Sequence, residues 1–95
     1  MPAYVILDIE VTDPNGYEAY RSRSGATVEQ YGGRFLVRGG DPATVEGGWA
    51  PSRIVVLEFP SEEAARAWYD SPEYGEILPI REANATSRAV LVQGA

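Results

Sequence analysis

The chain has 95 residues, 44% of them apolar, and a formal net charge of −6. It contains no cysteine, no histidine and no lysine, and all eight basic residues are arginine. These figures give one domain over 1–95, with no disulfide, no thiol nucleophile and neither the commonest general base nor the commonest metal ligand. The acidic balance opposes nucleic acid and anionic membranes as partners.

Residues 3–11, Ala-Tyr-Val-Ile-Leu-Asp-Ile-Glu-Val, are rich in β-branched side chains and read as a strand. Asp13-Pro14 then opens a helix, with Asp as the N-cap and Pro in the first turn. Its stripe is Tyr17, Tyr20, Ser24, Thr27, Val28 and Tyr31, and Gly32-Gly33 ends it. Residues 34–38 and 53–59 give two further strands, joined by a loop over 39–52 that is longer than most hairpin connections. Ser61 caps a second helix over 62–70, and Pro72 begins a short helical piece that Pro79 ends or kinks. Residues 86–93 close the chain as a last strand. The start, Met-Pro-Ala-Tyr, enters a strand directly, so no signal peptide or membrane span is expected and the protein is placed in the cytoplasm.

The order βαββαβ is the ferredoxin-like α+β pattern, an antiparallel sheet with helices on one face. Strand alternation sorts the side chains. Val5, Leu7, Ile9, Phe35, Val37, Val55, Leu57 and Phe59 go under the helices. The other face receives Tyr4, Ile6, Leu36, Ile54 and Val56, with Asp8, Arg38 and Glu58 among them. Burying each large apolar group is worth roughly 1.5–3 kcal/mol, and a domain this small is marginal on its own. A second copy of the chain is therefore expected to cover that face, leaving a polar pocket between sheet and loop.

The densest chemistry lies between Gly32 and Arg53, where three Gly pairs accompany Arg34, Arg38, Asp41, Glu46, Trp49 and Arg53. Arg38 reads either as a bidentate fork for a ligand carboxylate or as the partner of Asp8 or Glu58. Glu46 reads as a general base beside Trp49 as a lid, or as an anchor for the loop backbone or Arg53. Trp68 and Tyr69 are about 100° apart on a helix and cannot point at one place, so Trp68 goes to the core, while Tyr69 and Tyr74 either present their hydroxyls to a pocket rim or stack under the loop. Arg81, near a helix C-terminus, has a helix-dipole explanation. Ser71 has no histidine to activate it and serves as a cap. No acidic cluster has metal-ligand spacing, no cofactor is expected, and Gly39-Gly40 opens no helix that could cradle a phosphate.

As a set, several of these residues resemble the DUF1330 family of small bacterial proteins, within the dimeric α+β barrel superfamily. They are Ala3-Tyr4, Asp13-Pro14, Tyr20, Gly32-Gly33-Arg34, Val37-Arg38-Gly39-Gly40, Glu46-Gly47, Trp49-Ala50-Pro51, Arg53, Glu58-Phe59-Pro60, the run from Ala64 to Tyr69, Ser71-Pro72-Glu73-Tyr74 and Arg81. The resemblance implies two βαββαβ chains paired sheet to sheet, raises Arg53 and Arg81 as anion-site candidates, and implies no activity, the family having unknown function. Superfamily relatives include cofactor-free monooxygenases and muconolactone isomerases. The expectation is a homodimer binding a small aromatic or carboxylate-bearing metabolite between the sheet and the 39–52 loop. Arg38, Arg53, Trp49, Tyr69, Arg81 and Asp8 would bind it, with Glu46 at the reacting end. The alternatives are a cofactor-free oxygenase or isomerase using Glu46 or Asp8 as base, and a dimer without catalysis.

Overall fold

The computed structural model describes all 95 residues. Seven elements follow in chain order: β1 (Ala3–Val11), α1 (Pro14–Gln30), β2 (Arg34–Gly39), β3 (Ile54–Phe59), α2 (Glu62–Tyr69), α3 (Pro72–Asn84) and β4 (Ala85–Gln93). The sheet order is β2-β3-β1-β4 with every neighbouring pair antiparallel, the ferredoxin-like arrangement. All three helices begin as their sequences direct. The carboxylate of Asp13 accepts from the Asn15 and Gly16 amides, Ser61 Oγ from Ala64 and Ser71 Oγ from Tyr74. Each such cap is worth about 1 kcal/mol.

Gly32, at φ +81°, turns the chain out of α1, and Gly33 passes so close to the core that a Cβ there would meet the Phe59 ring at 2.5 Å. α1 runs unbroken through Gly25. α3 is longer than the short piece expected, continuing through Pro79 to Asn84. Pro79 and Gly75 both lie on its exposed side, where water reaches the Gly75 carbonyl that proline leaves without a donor.

The core forms as the alternation requires: Val5, Leu7, Ile9, Val55, Leu57 and Phe59 meet Tyr17, Tyr20, Val28, Ala65, Trp68, Tyr74 and Ile77 from the helices. β2 departs from it. Phe35 stands opposite Leu57, but Val37 stands opposite Val56 and Arg38 opposite Val55. An extra residue, Leu36, sits in a bulge that reverses the faces of everything after it. Val37, expected under the helices, lies on the open face, and Arg38, expected on the open face, lies on the helix side.

The open face carries Ile6, Val37, Ile54, Val56, Val90 and Val92, the last two being opposite Ile6 and Tyr4. Val90 is 60% exposed and Val92 45%. No helix is long and apolar enough to cross a membrane.

Candidate functional site

The bulge in β2 builds a cleft on the helix side, between α1 and the β2–β3 half of the sheet. Tyr17 and Tyr20 of α1, Phe35 of β2 and Trp68 of α2 give its aromatic walls, and Arg38 and Arg53 line it with them. Its free volume is about 20 Å³, room for a water molecule or a carboxylate group rather than a whole ring.

The Arg38 guanidinium lies 4.2 Å from the Phe35 ring centroid and reaches across to α1, donating to the Arg21 carbonyl at 2.6 Å and to Ser24 Oγ at 3.4 Å. Arg53 stands 5.9 Å from the Tyr17 ring centroid, and its Nε is buried with no hydrogen-bond partner. Gly39 makes room for it: its φ is +99°, and a Cβ there would come within 2.9 Å of an Arg53 terminal nitrogen. Neither arginine has a carboxylate partner. Arg38 therefore does not pair with Asp8 or Glu58. The geometry gives those acids to Arg88 and Arg34 instead.

Behind the cleft lies a buried polar chain. Arg81, 6% exposed, donates to Tyr74 Oη at 3.1 Å, and Tyr74 shares a 2.7 Å hydrogen bond with Tyr20. Arginine only donates, so the Tyr74 oxygen accepts from it. Burial pushes the phenols of Tyr20 and Tyr74 well above the usual tyrosine range. Both stay neutral and serve as hydrogen-bonding groups. Trp68 packs its ring on Tyr74 at 4.2 Å and donates to Thr27 Oγ1 at 3.0 Å, in the core as expected.

On the opposite side of the sheet, the segment between β2 and β3 crosses the open face. Trp49 Nε1 donates to Asp8 Oδ2 at 2.9 Å, Thr44 Oγ1 to the Trp49 carbonyl at 2.8 Å, and Arg88 Nε to the same Asp8 oxygen at 3.3 Å. Crevices of about 400 and 410 Å³ flank Trp49, the first bordered by Asp8, Glu10 and Arg88, the second by Val45, Glu46 and Ile54. Glu46 is exposed and makes no hydrogen bond or ion pair, so it anchors neither the loop nor Arg53.

The expected site residues thus fall in four places. Arg38 and Arg53 meet at the helix-side cleft, whereas Asp8, Trp49 and Glu46 lie across the sheet from them. Arg81 is in the α1–α3 interface behind the cleft. Tyr69, 43% exposed, borders a separate groove with Ala65, Ala89 and Leu91. The cleft walls Tyr17, Tyr20 and Phe35 were not singled out by the sequence, although Tyr17 and Tyr20 belong to the α1 stripe. No group of three or more His, Cys, Asp or Glu side chains is gathered as a metal site.

A ferredoxin-like α+β domain with an arginine-lined cleft under its first helix is the class these features define. The chain belongs to the DUF1330 family: the profile described as "Domain of unknown function (DUF1330)" matches residues 2–95. No curated protein matches it. Among solved structures, a protein of unknown function from Rhodopseudomonas palustris is similar, with TM-score 0.80 and 21% identity over 99% of this chain and 82% of that one. SnoaB, a cofactor-independent oxygenase from Streptomyces nogalater, is similar at TM-score 0.67 and 16% identity over 99% and 93%. The de novo designed protein Foldit4 is similar at TM-score 0.63 and 12% identity over the full length of both chains. A natural oxygenase and a designed chain share this backbone, so these likenesses carry the fold and no activity.

Proposed function

We propose that the protein is a homodimer that binds a small aromatic or carboxylate-bearing metabolite at the mouth of the cleft beneath α1. The observation that carries this reading is the cleft wall: Tyr17, Tyr20, Phe35 and Trp68 line it together with Arg38 and Arg53, two arginines free of carboxylate partners. Aromatic walls with a few convergent polar groups are what a small-molecule site offers. Arg38 and Arg53 orient the ligand at the mouth. Arg81 acts from behind, holding Tyr74 and through it Tyr20.

The dimer reading rests on the open face. Its six apolar side chains are partly exposed, and two of its acids, Asp8 and Glu58, are paired within the chain, with Glu10 unpaired toward the end of β1, so a second copy covers the apolar part of the face at little cost in charge. The crevices beside Trp49, bordered by Asp8 and Glu46, favour a second reading, a cofactor-free oxygenase or isomerase with one of these acids as base. It is weakened by the placement of both acids across the sheet from the cleft and by the engagement of Asp8 with Trp49 and Arg88.

The experiment is an NMR-mapped screen of small aromatic metabolites, charged and neutral. Perturbation of Tyr17, Tyr20, Phe35 and Trp68 with Trp49 undisturbed supports the cleft. Perturbation confined to Trp49, Asp8 and their neighbours overturns it.

A further inference from the structure

We infer that the ligand of the helix-side cleft is an anion, specifically a small aromatic carboxylate whose charged end is seated by Arg53 and Arg38. This rests on the cleft being the binding site, as set out above, and adds the charge that the site selects.

The argument begins with where the positive charges find partners. Five of the eight arginines form ion pairs: Arg21 with Glu18, Arg23 with Glu76, Arg34 with Glu58, Arg66 with Glu62 and Arg88 with Asp8. Arg38, Arg53 and Arg81 do not, in a chain with 14 acidic residues and a net charge of −6. Two of these three border one cleft, and no Asp or Glu lines it. Acids are plentiful, yet they are kept away from this one place.

Arg53 is held ready. Tyr17 supports its guanidinium from α1, Gly39 leaves the space it occupies, and its Nε–H is buried without an acceptor. A buried donor left unmet is costly, and a carboxylate on the terminal nitrogens would neutralise the charge, through the shorter and stronger bonds that ionised partners make. The about 20 Å³ of free space fits that headgroup but not a ring. The charged end therefore enters first, and the ring remains toward the mouth beside Phe35. Arg38, exposed and spanning from β2 to α1 at that mouth, supplies the second cation and moves aside to admit the ring.

The test is a matched pair of probes, benzoate and its neutral isostere benzamide, titrated into the full chain while the Arg53 Nε–H and Trp68 Nε1–H resonances are followed. Benzoate is expected to bind at least tenfold more tightly than benzamide, to weaken as salt rises, and to lose this preference in Arg53→Gln. Should Arg53→Gln unfold, Arg38→Gln, which alters an exposed side chain, makes the same comparison. Equal binding of the two probes at the cleft overturns the charge selection and leaves the cleft reading standing. Failure of both probes to perturb the cleft overturns the two together.

Discussion

The Arg38 guanidinium lies 4.2 Å from the Phe35 ring on the helix side of the sheet, although residues three apart on a regular strand face opposite ways. The bulge at Leu36 makes this stacking available, and with it the cationic end of the cleft. Because Arg38 is exposed, its stacking is worth only about 0.5–1 kcal/mol. Arg38→Gln is therefore expected to lower stability by no more than about 1 kcal/mol in chemical denaturation, while reducing benzoate affinity at least tenfold. A large stability loss with unchanged affinity would make Arg38 a structural strut.

Gly33 admits no side chain. A Cβ there would strike the Phe59 ring and come within 2.8 Å of Val28 Cγ1, both in the core. Gly33→Ala is expected to cost roughly 1–3 kcal/mol, the usual range for overpacking, read as a lower denaturation midpoint at unchanged slope. A neutral substitution would mean that β2 and the end of α1 shift freely.

The Trp49–Asp8 hydrogen bond ties the segment between β2 and β3 to the sheet. Trp49→Phe keeps an aromatic ring and removes the donor, at a cost of about 0.5–1.5 kcal/mol. Amide exchange should rise in the loop and leave β1 protected. Uniform loss of protection across the sheet would contradict a local tie.

Alkaline pH should unfold the protein from the inside. Tyr20 and Tyr74 are held above the ordinary tyrosine value of 10.0, mainly by burial. The folded state therefore keeps protons that the unfolded chain releases, and stability is full below pH 10 and falls above it. At the acid end, the hydrogen bond from Arg34 holds Glu58 below its ordinary range. Its contribution is present above the ordinary carboxylate value of 4.5 and fades as pH falls through the lower folded value. The phenolate absorbance of Tyr20 and Tyr74 should appear only as near-ultraviolet dichroism is lost. Titration of all six in one step with the fold intact would refute this.

Much of the architecture was legible in the sequence because local rules and global fold agree here. Period-2 apolar runs gave β1 and β3, and Asp13, Ser61 and Ser71 marked the helix starts. The bulge was not legible: nothing in Arg-Phe-Leu-Val-Arg-Gly marks an inserted residue, and the alternation argument turns on that count. Its consequence was large, since it moved Arg38 to the other face and separated it from Asp8 and Trp49. The partners of Asp8 and Glu58 depended on strand pairing, which sets Arg88 and Arg34 opposite them and which spacing along one strand does not reveal. The continuation of α3 through Pro79 depended on that residue facing water, a tertiary fact.

The homodimer is checked by sedimentation equilibrium on the native chain and on Val90→Lys, which places a charge among the exposed apolar residues on the β4 side of the open face. A dimer that becomes a folded monomer is expected. A native monomer at micromolar concentration would remove the dimer and leave the cleft untouched.

The binding site itself is tested most directly by a crystal structure of the protein soaked with benzoate. The account predicts electron density beneath α1, with a carboxylate within hydrogen-bonding distance of the Arg53 guanidinium and the ring beside Phe35. Density found only on the Trp49 side of the sheet, with the Arg53 end of the cleft empty, would contradict it.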